Sequence, residues 1–233
     1  MNASTAHNAH PERRTPEGAE NYAKAIYQLQ GSDQGPVGTG AVAERLGVTP
    51  ASASAMLKRL AAEGLVEHTP YHGVRLTEDG EQVALEVIRH HRLIELFLAE
   101  VLGMPWDRVH AEAEVLEHHI SEELEEMIAA KLGQPARDPH GDPIPSAELD
   151  LVADDSVPLA ELEPGQSGTF IRVSDRDAEM LRYLDSRGIH PGARLLVRSR
   201  EPFRGPLSVE VGGHKHALGG ELIDRMRVSE VSG

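Results

Sequence analysis

Between Val42 and Gly64 two amphipathic helices are separated by a turn of only a few residues, and few folds accept that spacing. The run Val42–Leu46 (VAERL) ends at Gly47, a residue suited to the left-handed backbone just beyond a helix. Thr49 is placed to cap the next helix, and Pro50 occupies a first helical position, where its missing N–H costs nothing. That helix runs from Ala51 to a terminator at Gly64. Ala53, Met56, Leu57 and Leu60 share one face, and Ser52, Ser54, Lys58 and Arg59 are left on the others. An earlier helix covers Asn21–Gln30. Two short strands follow, Leu65–His68 and Val74–Thr77, joined by the loop Thr69–Gly73. Helix, turn, helix and hairpin in this order predict a winged helix-turn-helix over residues 18–80.

Such a unit reads double-stranded DNA with the start of its second helix and with its wing. Thr49, Ser52, Ser54, Lys58, Arg59 and Tyr71 are the candidate contacts. Lys58 and Arg59 suit phosphates, and the hydroxyl groups suit phosphate or base edges. The net charge of -15 opposes DNA binding at first sight, since affinity rests largely on neutralising phosphates. Its distribution removes the conflict. Residues 1–80 carry 7 basic and 9 acidic side chains, whereas residues 81–155 carry 5 and 18. The acidity is therefore concentrated in the middle of the chain, with six of the 13 histidines (His90, His91, His110, His118, His119 and His140).

Two helices are expected there, from about Asp79 to Leu102 and from about Trp106 to Leu132. His91 and Glu95 lie four apart on the first. On the second, His110, Glu114, Glu117 and His118 fall within an arc of roughly 100°, beside an apolar stripe of Val109, Ala113, Leu116 and Ile120. Spacing alone leaves two readings open, a solvated acidic helix surface and a cation site. The chain has no cysteine, which excludes disulfides, thiolate zinc sites and cysteine nucleophiles. A metal held here meets imidazole and carboxylate, a donor set suited to Mn²⁺ and Fe²⁺, with Zn²⁺ also able to bind. A di-metal carboxylate enzyme fits poorly, because its Glu-x-x-His pairs are spaced three apart and not four. A winged-helix regulator answering to a non-metal ligand is the other alternative.

The segments HHRLIELFL and VHAEAEVLEHHIS, following a winged helix, resemble the diphtheria-toxin-repressor family of metal-dependent regulators, most closely its manganese type. The resemblance covers roughly residues 18–233. It implies a mainly α protein with small β elements: the winged helix, a helical dimerisation and metal domain over residues 81–140, a Pro- and Asp-rich linker over 141–158 and an SH3-like domain over 159–233. Strands are expected near Ser167–Val173, Ala193–Arg200, Leu207–Val211 and His214–Leu218, with a helix near Asp177–Arg187. The resemblance further implies a first metal site from His91, Glu95 and His110, to which Asp177 or Glu179 of the SDRDAE loop is added. A second site comes from Glu114, Glu117 and His118 with Asn21. Glu114 stands where iron regulators carry cysteine, which favours Mn(II) over Fe(II), with two ions per subunit. The implied protein is a cytoplasmic homodimeric repressor on a palindromic operator, not an enzyme and not a membrane protein. Residues 1–17 lack an apolar core and read as a disordered arm.

Overall fold

The computed structural model describes residues 15–31, 35–69, 72–203 and 205–233, and the chain divides into two compact units, residues 1–85 and 86–233. Most of the N-terminal arm, and Tyr71, lie outside the described residues.

In the first unit α1 (Glu17–Gln30), α2 (Thr39–Arg45) and α3 (Pro50–Ala62) precede a two-stranded hairpin, β1 (Val66–Thr69) and β2 (Gly73–Leu76). α1 starts four residues before the expected position, with Glu17 and Glu20 in its first turn, where acidic side chains complement the helix dipole. The Thr49 hydroxyl accepts from Ser52 N at 3.1 Å and caps α3. The apolar face predicted for α3 is the one that packs. Ala53, Leu57 and Leu60 are buried together with Tyr22, Ile26 and Val74, while Met56 packs at the edge. The hairpin pairs Val66 with Leu76 and Glu67 with Arg75, and Val37 extends it by exchanging two backbone hydrogen bonds with Val74. This is a winged helix-turn-helix.

α4 (Glu78–Glu100) leads into the second unit, where α5 (Val109–Leu116) and α6 (Glu122–Lys131) follow. The single helix expected from Trp106 to Leu132 is thus two. The chain leaves the helix at Glu117, and Ser121 starts α6 by accepting from Leu124 N with its hydroxyl. A serine cap followed by an acidic first turn is a helix start, and continuous periodicity hid it. Leu93, Leu96 and Ile128 form one small core, and Ile94, Leu98 and Val109 form another.

The C-terminal part is a six-stranded antiparallel sheet in the order β3-β8-β4-β5-β6-β7. Its strands are β3 (Val157–Pro158), β4 (Ser167–Val173), β5 (Arg194–Arg200), β6 (Leu207–Val211), β7 (His214–Leu218) and β8 (Met226–Ser232). α7 (Ala178–Asp185) and α8 (Gly220–Arg225) accompany it. Phe170, Leu181, Leu184, Leu195, Val209 and Val228 lie in its core. Among the described residues no helix is long and apolar enough to cross a membrane.

Candidate metal centre and nucleic-acid interface

Glu95 is the hub of the second unit's polar interior. It lies on α4, its side chain is fully buried, and three imidazoles surround it. His91 Nε2 is 3.0 Å and His110 Nδ1 3.2 Å from Glu95 Oε1, and His140 Nδ1 is 3.6 Å from Oε2. Asp175, in the loop between β4 and α7, reaches His110 Nδ1 at 3.0 Å. Donor atoms of His91, Glu95, His110 and Asp175 lie within 4.8 Å of one another, and the same holds for Glu95, Asp138 and His140. Burial alone would raise the Glu95 carboxyl, but His110, His140 and His91 hold it well below the usual carboxylate range. Burial would likewise lower His110, yet Asp175 and Glu95 push it up to about 10. For His140 burial is outweighed by Glu95 and Asp138, which push it up to about 9.

The His140 ring is held by Trp106, and its backbone by Asp138 and β4. The Trp106 carbonyl accepts from His140 Nε2 at 2.8 Å, which turns Nδ1 toward Glu95. Asp138 accepts from the backbone N–H groups of His140 and Asp142, each at 2.9 Å, and so folds residues 138–142 into a turn. Val173 N then donates to the His140 carbonyl and ties this turn to β4. Gly141 sits at φ +91°, and a Cβ there would lie 1.8 Å from the Ile171 carbonyl oxygen. Gly141→Ala is therefore expected to lower the melting temperature by several degrees and to weaken metal uptake through His140. Thermal melting and Mn²⁺ titration of that variant check this.

A second group shares His91. Its Nδ1 lies 2.5 Å from Glu117 Oε2 and 3.9 Å from Glu114 Oε1, while His118 Nε2 is 3.4 Å from Glu117 Oε1. Glu117 and His118 sit just past the end of α5, where the chain leaves the helix and turns both side chains inward. His118 and Glu117 are buried, and Glu114 is half exposed. Asn21 belongs to the other unit, on α1.

The donors fit a divalent transition metal. All are imidazole nitrogen or carboxylate oxygen, and Glu95 Oε2 and His140 Nδ1 are buried with no hydrogen-bond partner among the described residues. A cation between them would satisfy both atoms and screen Glu95 from Asp138 and Asp175.

In the first unit Thr49, Ser52, Lys58 and Arg59 are exposed along α3, and Ser54 is half buried. Thr49 and Ser52 touch through their hydroxyls at 2.9 Å. Arg59 pairs with Glu63 at 2.8 Å, which leaves Lys58 the less neutralised cation of the two.

Residues 15–74 match the description "Iron dependent repressor, N-terminal DNA binding domain", residues 77–146 "Iron dependent repressor, metal binding and dimerisation domain", and residues 157–230 "FeoA domain". The iron-dependent repressor IdeR of Mycobacterium tuberculosis is 32% identical over 225 residues, covering 91% of this chain and 96% of its own. The chain belongs to the iron-dependent repressor family. Among solved structures, a manganese-dependent transcriptional repressor in complex with manganese is 43% identical, with a TM-score of 0.83 over 90% of this chain and 98% of that one. ScaR with bound Zn²⁺ is 31% identical, with a TM-score of 0.74 over 91% and 98%. As an iron-dependent repressor family member, the chain is a metal-responsive DNA-binding regulator and not an enzyme.

Of the SDRDAE loop, Asp175, and neither Asp177 nor Glu179, joins the group of potential donors around Glu95 among the described residues. Asp177 is engaged at its own helix, accepting from Glu179 N at 3.0 Å and Met180 N at 3.1 Å, and Glu179 lies in the first turn of α7. Asp175 reaches His110 instead. Asp138 and His140 lie at the end of the expected helical domain, against the Pro- and Asp-rich linker, and neither is singled out by helical spacing. That stretch is packed: Ile144 is buried, and Arg89 and Arg92 donate to the carbonyls of Pro145 and Pro143. A histidine between aspartates and followed by glycine, with Ile144 three residues on, was the available signal.

Proposed function

We propose that this chain is a repressor activated by Mn(II), with Fe(II) the alternative ion, and that two ions bind each subunit. The observation that carries this is the sulfur-free donor set, with carboxylate at Glu114 and Glu117 beside His91 and His118. Oxygen and imidazole ligands favour Mn²⁺ and Fe²⁺ over softer ions. The first ion would be held by Glu95, His110, His140, Asp138 and Asp175, and the second by Glu114, Glu117 and His118. His91 stands between the two sets, where one ring nitrogen can ligate an ion while the other orients the neighbouring set. The bound ion supplies a fixed point of positive charge.

The protein acts as a homodimer on a palindromic operator in this reading. Leu102, Val115, Leu124 and Met127 are exposed in the region matching the metal-binding and dimerisation domain, and a second copy would cover them. Half-sites would lie about one DNA turn, or a multiple of it, apart.

Capture of genomic fragments with Mn²⁺, with anoxic Fe²⁺ and with chelator tests the function. Specific enrichment with metal and none with chelator is expected, and equal enrichment in chelator would contradict it. On a captured fragment, Lys58→Ala should weaken binding similarly for all sequences and lower the slope of log affinity against log salt by about one. Titration of the variant across a salt series measures both.

A further inference from the structure

Arg89, His90 and Glu125 lie outside both donor sets, and all three are buried, at 5%, 6% and 6% relative exposure. Together they form a continuous chain. Arg89 Nη1 donates to the Pro145 carbonyl at 2.6 Å, and Arg89 Nε to Glu125 Oε1 at 2.5 Å. Glu125 Oε2 lies 2.8 Å from His90 Nε2, on the other side. The opposite ring nitrogen of His90, Nδ1, donates to the Glu117 carbonyl at 3.1 Å.

Each end of this chain meets a donor set. Glu117 follows the last residue of α5, where backbone carbonyls lack helical partners, and its side chain and that of His118 belong to the second set. Pro145 follows the turn that carries Asp138 and His140 in the first. Buried charges persist only when paired, and each one here is paired with the next. Arg89 already supplies Glu125 with a cation, and His90 Nε2 stands 2.8 Å from the other carboxylate oxygen, so no ion is needed to hold Glu125.

We propose that Arg89, Glu125 and His90 are positioning residues that fix the Glu117 carbonyl and the 138–145 segment in register, and thereby set metal affinity in both donor sets. This rests on the metal reading above. Outer groups that orient ligands change metal affinity by about 10–100-fold.

The test compares Mn²⁺ uptake, read from the electron paramagnetic resonance signal of the free ion, with thermal melting. His90→Phe removes the donor to Glu117, whereas His90→Asn places an amide N–H near the Nδ1 position. Glu125→Gln breaks the chain at its centre should the phenylalanine variant not fold. Ile128→Val, on the same helix as Glu125, is a control for lost stability alone. Expected are a loss of about tenfold or more for His90→Phe and Glu125→Gln, recovery to within about threefold for His90→Asn, and unchanged uptake for Ile128→Val. Unchanged uptake by His90→Phe or Glu125→Gln would overturn the proposal, as would a loss in Ile128→Val equal to theirs. No Mn²⁺ uptake by the unaltered protein would remove the metal reading itself, and this proposal with it.

Discussion

Replacing His91 with alanine is expected to abolish metal activation in one step. Its ring presents Nε2 to Glu95 and His110 and Nδ1 to Glu117. A neutral imidazole has one N–H and one lone pair, so it can ligate a metal on one side while donating a hydrogen bond on the other. Alanine removes the ligand and the orienting contact together. Because loss of an outer-shell partner costs about 10–100-fold, loss of this shared group should weaken Mn²⁺ uptake by at least about 100-fold. DNA binding should then stay at its chelator level at Mn²⁺ concentrations that saturate the unaltered protein. Cutting Glu95, Glu117 and His110 apart also leaves buried carboxylates facing one another, so melting should be followed in parallel. A variant that folds and still responds to metal would show that the two donor sets do not depend on His91.

The second large effect is on pH. Metal binding must displace protons from imidazoles that the metal-free protein holds tightly, His110 at about 10 and His140 at about 9. Both values lie above the ordinary 6.5, so both rings are protonated at neutral pH. Affinity for Mn²⁺ should therefore rise with pH, about tenfold per unit for each proton displaced and about a hundredfold per unit if both leave. Stability of the metal-free protein has the opposite sign. The ion pairs of protonated His110 and His140 with Glu95 and Asp175 contribute fully below about pH 6.5, and that contribution is lost as pH rises through 9 to 10. Mn²⁺ titrations at about pH 6.5 and about pH 7.5, with melting of the metal-free protein up to about pH 10, check both signs. Affinity that is flat across that interval would remove His110 and His140 from the donor set.

The winged helix was legible because its determinants are local. Thr49, Pro50 and the apolar spacing of α3 act within a few residues, and the hairpin follows from alternation between turn residues. Four strands of the C-terminal sheet were readable for the same reason. β8, at the C-terminus, was not, since its partners β3 and β4 are remote in sequence. At the candidate metal centre, helical spacing singles out His91, Glu95, His110, Glu114, Glu117 and His118, which the structure brings into two neighbouring groups. That spacing describes Glu117 and His118 as lying along a helix, although the chain leaves the helix at Glu117. Asp175 was hidden by a competing role two residues later, where Asp177 caps α7. Asp138 and His140 stand outside any helical repeat, at the edge of a Pro- and Asp-rich stretch, and proline and aspartate mark both flexible linkers and tight turns. Arg89, Arg92 and the β4 backbone make this segment a turn, and no local pattern announces those partners.

The measurement that bears most directly on the central claim is fluorescence anisotropy of a labelled captured operator fragment, titrated with protein in Mn²⁺, in Mn²⁺ followed by chelator, and in chelator throughout. Tight binding that requires Mn²⁺ and is reversed by chelator, and that His118→Ala lacks, is the predicted result. Equal affinity in all three conditions would contradict it and leave a DNA-binding protein whose switch is not a metal.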